Sequence, residues 1–178
     1  MKKYILIVAL VLASLSSFGQ NTIKFLGIPI EGTKKEMIAK LEEKGYIYSS
    51  SNDYLTGEFN GENVNISILT VNNRVWRIAV IAAENRDETN IKFHFTSLMQ
   101  QFIKNGKYVY VGGSTPKQDD NLAYEIRVNK KRYDAYFHFI DPTINGLVWY
   151  TIAEDGYGRY RMCIFYENHD NKANGDDL

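Results

Sequence analysis

The stretch IEGTKKEMIAKLEEKGYIY, residues 30–48, carries both end signals of a short helix and runs straight into strand-like sequence. Thr33 followed three residues later by Glu36 is a capping box, in which hydroxyl and carboxylate each satisfy an amide at the helix start. The helix therefore begins at Lys34, with Met37, Ile38, Leu41 and Tyr46 on its apolar side. Glu36 and Lys40 form a favourably ordered i,i+4 pair, and Gly45 suits the left-handed residue that ends a helix.

Beyond Ser49–Asp53 the apolar period falls from 3.6 to 2. Tyr54–Phe59 reads as a strand, Asn60-Gly61 as a tight hairpin turn, and Val64, Ile66 and Ile68 as the inward positions of the next strand. Asn72-Asn73 turns the chain into a third strand, Arg74 to Ala83, with Trp76, Ile78 and Val80 expected on one face. The order then recurs. Ile91, Phe95, Leu98, Met99 and Phe102 mark a second amphipathic helix, ended by Asn105-Gly106. Strands are expected at Tyr108–Val111, Leu122–Val128, Arg132–Ile140, Leu147–Ala153 and Arg159–Tyr166, with turns at Asn129-Lys130-Lys131, Asn145-Gly146 and Asp155-Gly156. The phrases KGYIYSSS (44–51) and NGKYVYVGG (105–113) follow the two helices in matching positions. The expected class is α+β, as two tandem units, each a helix followed by an antiparallel β-meander: residues 20–86 and 87–167, with a polar, disordered tail over 168–178.

Residues 1–19 read as a signal peptide: Lys2 and Lys3, an apolar run from Tyr4 to Leu12, then small residues with Ser17 and Gly19 at the −3 and −1 positions. The apolar run is much shorter than the roughly 20 residues of a spanning helix. The expectation is an exported protein, periplasmic or extracellular, with no transmembrane segment in the mature chain. No cysteine near the cleavage point could accept a lipid. Loss of Lys2 and Lys3 leaves 19 basic against 21 acidic residues, a net charge of −2, which argues against nucleic acid as a partner. Cys163 is the one cysteine, so packing without an internal disulfide must hold the fold.

The layout helix, strands, helix, strands, introduced by FLGIPIEGTKKEMIAKLEEKGY (25–46), resembles the tandem fold of the secreted β-lactamase inhibitor proteins. It is similar also to the single-unit outer-membrane assembly lipoproteins. The resemblance implies a non-enzymatic binding module. The chain departs from the inhibitors in lacking their disulfides and from the lipoproteins in lacking the lipid-bearing cysteine, so neither family's functional residues carry over.

Chemistry-bearing motifs are sparse. Cys163 and His138 could pair as nucleophile and base, but both fall inside strands rather than at a helix N-terminus, where a thiolate is stabilised. His94, His138 and His169 lack metal-site spacing, and no cofactor is expected. VYVGGSTPKQ (109–118) has the glycines of a phosphate loop without the helix that should follow, and reads as an ordinary mobile loop. Glu58 and Glu62 flank a hairpin and read as solvated turn charges. The Asn65-Ile66-Ser67 sequon sits inside a strand. The stronger feature is a sheet face. With Tyr133, Ala135, Phe137 and Phe139 inward, Asp134, Tyr136 and His138 point outward, and the neighbouring segments are expected to add Glu125, Arg127, Arg159 and Arg161. Tyrosine and arginine together favour a protein interface. The expected function is an inhibitor-like module binding a protein or another envelope component through that face. A hydrolase of envelope polymers and a structural part of an envelope complex are the alternatives.

Overall fold

The computed structural model describes residues 22–172; the expected signal peptide and residues 173–178 lie outside them. The chain is α+β with an antiparallel main sheet. A two-stranded hairpin, β1 (Lys24–Phe25) and β2 (Ile28–Pro29), leads into helix α1 (Lys34–Glu42). Strands β3 (Ile47–Ser49), β4 (Tyr54–Phe59), β5 (Glu62–Val71) and β6 (Arg74–Ala82) follow as a meander. Helix α2 (Glu88–Lys104), strand β7 (Tyr108–Ser114), helix α3 (Leu122–Arg127) and strands β8 (Asp134–Phe139), β9 (Gly146–Glu154) and β10 (Tyr160–Asn168) complete it. The eight strands form one sheet in the order β3-β4-β5-β6-β10-β9-β8-β7, with β6 and β10 antiparallel at its centre.

Local chemistry explains most element ends. Glu36 N–H donates to Thr33 Oγ1 at 3.3 Å, and Thr33 N–H donates to Glu36 Oε2 at 2.8 Å, so α1 starts in a reciprocal capping box. Deleting the hydroxyl in Thr33→Ala is expected to cost about 1 kcal/mol in chemical denaturation while leaving the circular dichroism spectrum unchanged. An unshifted midpoint would show that the cap contributes nothing. Asp87 caps α2 by accepting from Asn90 N–H at 2.8 Å. Asn60 and Gly61, both at positive φ, make the β4–β5 turn.

The sheet alternation builds a single core under one face. Ile66, Val80, Ile164, Tyr150 and Ala135 lie in register from β5 to β8 on that side. Met37 and Leu41 of α1 pack beneath them, as do Ile91, Phe95, Leu98 and Phe102 of α2. The Tyr150 hydroxyl donates to the Phe95 carbonyl at 3.1 Å, tying α2 to β9.

Three expectations change. Leu122–Val128 is expected as a strand, but residues 122–127 form α3, capped by Asn121, whose Oδ1 accepts from Tyr124 N–H at 3.0 Å. The segment is held by Lys92, an ammonium 8% exposed as a residue, which donates to Glu88 Oε1 at 2.8 Å and to the carbonyls of Gln118 and Asp120. Secondly, Trp76 leaves the core face. Leu69 pairs with Arg77 and Thr70 with Val75, so Trp76 is the extra residue of a bulge, and Val75 takes the inward place. Thirdly, residues 168–172 of the expected tail join the fold: Asn168 ends β10, 3% exposed, and donates to the Ile30 carbonyl at 2.7 Å. Asn171 donates to the Val75 carbonyl at 2.9 Å.

Candidate functional site

All three helices and the β1–β2 hairpin contribute to the one core, which leaves the other face of the sheet without a covering element among the described residues. Across that face runs one register row. Gly112 of β7 pairs with Tyr136 of β8, Tyr136 with Trp149 of β9, Trp149 with Phe165 of β10, and Phe165 with Ala79 of β6. The Trp149 and Phe165 rings stack with centroids 4.1 Å apart and planes at 20°; Tyr136 and Trp149 stack at 5.8 Å and 25°. Rings stacked from strand to strand shield one another's faces and offer their electropositive edges outward.

Guanidinium groups flank the stack. Arg132 lies 5.6 Å from the Trp149 ring centroid and Arg77 5.4 Å from that of Phe165. Arg77 also covers Trp76 at 4.1 Å, so the bulge that expels Trp76 from the core delivers it to the end of this array. Glu167, 3% exposed, fixes the arrangement from the next row. It accepts from Trp149 Nε1 at 2.7 Å, from Arg77 Nη2 at 2.6 Å, and lies 3.2 Å from His169 Nε2. Burial alone would raise the Glu167 pKa; the Trp149 N–H, the Arg77 charge and His169 outweigh it and hold the carboxyl below its ordinary value.

The residues expected on this face divide. Asp134 and Tyr136 are there, with Tyr136 Oη donating to Asp134 Oδ2 at 2.8 Å. His138 is exposed farther along β8. Arg161 shares the face but is engaged, its Nε donating to Asn85 Oδ1 at 2.6 Å and its Nη2 pairing with Asp155 at 2.5 Å. Arg159 is exposed in the β9–β10 turn. Glu125 and Arg127 do not belong: both are on α3, whose Leu122 enters the core, and Arg127 pairs with Glu154 on the helix side. Their expected place on the sheet requires a strand over 122–128, and residues 122–127 are helical.

The candidate catalytic groups do not converge. Cys163 lies in the row of Thr151 and Asp134, and His138 is four residues on from Asp134, about 13 Å along the strand. Burial pushes the Cys163 thiol up to about 11, so it is no thiolate at neutral pH. Glu62, read as a solvated turn charge, instead accepts from Arg86 Nη2 at 2.7 Å and lies 3.4 Å from His94 Nδ1, linking the β4–β5 hairpin to α2. Burial lowers the His94 pKa, with Glu62 opposing and Arg86 reinforcing the shift. Among the described residues no three His, Cys, Asp or Glu side chains gather in a way that would hold a metal ion. The glycines of VYVGGSTPKQ lie in β7 rather than in a loop.

No family model, no curated protein and no solved structure matches the chain. The site therefore rests on its own geometry. Sequence reasoning passed over Trp149, Phe165, Arg77, Arg132 and Glu167. Strand alternation on β9 and β10 places Trp149 and Phe165 opposite Tyr150 and Ile164, and that signal was available once both strands were drawn; Arg77 depended on the bulge.

Proposed function

We propose that the chain is an exported, non-enzymatic module of the bacterial envelope that binds a protein through the open sheet face. The observation that carries this reading is the Tyr136–Trp149–Phe165 stack, flanked by arginines on a face that no element covers among the described residues. Aromatic rings and guanidinium groups give up large area to a partner while keeping their polar edges bonded. Ring edges and the Arg132 side chain, 64% exposed, favour a partner surface that presents carboxylates. We read the architecture as two tandem units. Its support is the strand order, in which two four-stranded meanders, each preceded by a helix, meet edge to edge at β6 and β10. The resemblance to the secreted β-lactamase inhibitors belongs to the same proposal.

The test compares two paired substitutions on opposite sides of the sheet. Arg132→Ser with Tyr136→Ala alters the open face, and Glu125→Ala with Arg127→Ser alters α3. Proteins captured from a bacterial envelope extract by the wild type should be retained by the α3 pair and lost by the face pair. Each anchor removed is expected to weaken binding about 30-fold, corresponding to about 2 kcal/mol. Capture retained by the face pair overturns the proposal.

A further inference from the structure

On the helix side, away from the open face, two adjoining hollows of about 590 and 270 Å³ share Leu26, Phe59, Tyr108 and Tyr166 as walls. They form one groove between the β1–β2 hairpin, the C-terminal end of α2 and the β4–β5 hairpin. Its volume and aromatic lining are those of a small-molecule site. The rings are fixed by one another: Phe25 packs on Phe59 at 5.4 Å and on Tyr166 at 5.1 Å, and Tyr108 packs on Phe102 at 5.1 Å and on Phe139 at 5.2 Å.

Two polar features make this more than an apolar crevice. Tyr108 and Tyr166 both line the two hollows, and neither hydroxyl donates to another group among the described residues. Hydroxyls left free of the protein on the wall of a hollow can donate to an anionic group placed there. Lys24 and Lys107 also line the larger hollow, and neither has a carboxylate partner among the described residues. Asp141, the acid on the same wall, is already occupied by Thr143, which donates to it from N–H at 2.9 Å and from Oγ1 at 2.6 Å.

We infer that this groove binds an amphipathic carboxylate, its alkyl body against Leu26 and Phe59 and its anionic head reached by the Tyr108 and Tyr166 hydroxyls and the Lys24 and Lys107 ammonium groups. The site is independent of the open face.

Decanoate and 1-decanol, which differ in the charged head, serve as probes in calorimetric titration of the full chain and of a chain beginning at Gln20. Decanoate should bind one saturable site with Kd below about 100 µM. Tyr166→Phe, which keeps the ring and removes only the hydroxyl, should weaken decanoate about tenfold without lowering the melting temperature of the unliganded protein. Lys24→Ala with Lys107→Ala should weaken decanoate about tenfold and 1-decanol less than about twofold. Failure of both chains to saturate at about 1 mM overturns the inference. Binding indifferent to both variants does so too, by placing the ligand elsewhere. Binding by the Gln20 chain alone supports the inference for the mature protein, whereas a protein dimer that excludes decanoate would assign the groove to a second copy and overturn the proposal.

Discussion

Glu167→Ala is expected to remove about 3 kcal/mol of stability, far more than a surface substitution, because it strands two donors at once. The carboxylate accepts from the Trp149 indole and from Arg77, and after its removal the Arg77 guanidinium, whose Nε already lacks a partner, keeps its charge in a half-buried place. Urea denaturation at neutral pH measures the loss. Glu167→Gln separates charge from shape, since an amide preserves the volume but cannot neutralise Arg77. The folded-state pKa of Glu167 lies below its ordinary value, so the carboxylate's contribution is fully present above the unfolded-state pKa and fades as pH falls through the folded one. The stability gap between wild type and Glu167→Gln should therefore be constant from neutral pH down to about 5, narrow once pH falls past the unfolded-state carboxyl pKa, and close as it falls through the lower folded-state value. A gap that persists unchanged in acid would show that Arg77 does not depend on the Glu167 charge. The same substitution should loosen the Trp149–Phe165 stack, which makes Glu167 a positioning residue for the proposed interface.

What the sequence made legible follows from the range of the forces involved. Caps and tight turns act within four residues, so Thr33 with Glu36, and Asn60 with Gly61, announced themselves locally. The error at 122–128 has an equally physical cause. Leu122, Tyr124, Ile126 and Val128 alternate perfectly, and a six-residue helix is too short to display a 3.6-residue period. What overrides the alternation is remote: the Lys92 ammonium fixes the carbonyls of Gln118 and Asp120, and Glu88 Oε2 accepts from Leu122 N–H at 3.2 Å. Arg77 and Glu167 are 90 residues apart in the chain and meet only through the β6–β10 pairing, a contact with no local signature. The open face itself was readable on β8, where alternation held through Tyr136, and unreadable on β6, where one bulged residue exchanged the sides of Val75 and Trp76.

The glycine pair of VYVGGSTPKQ shows how a motif that looks like ligand chemistry can be a packing requirement, and it yields the second large effect. Gly113→Ala is expected to cost about 3 kcal/mol or more and to free β7 from the sheet. A Cβ at Gly113 would stand 2.1 Å from the Asp134 carbonyl oxygen and 2.9 Å from the Ala135 Cα, both backbone atoms of β8 that cannot turn aside. Its φ of +141° adds conformational strain for any L side chain. Gly112 supplies the control. Its φ of +148° is nearly the same, but a Cβ there meets nothing within 4 Å, so Gly112→Ala carries the strain without the collision. If close approach is the reason for the pair, Gly113→Ala should be the more destabilising by at least about 1.5 kcal/mol. Amide exchange should then accelerate across Tyr108–Ser114, while the β5, β6 and β10 amides stay protected. Equal effects of the two substitutions would assign the whole cost to backbone strain. Because Gly112 lies beside Tyr136 in the aromatic row, its missing side chain also leaves the end of the stack open, so bulkier residues there should cut partner capture without disturbing the core.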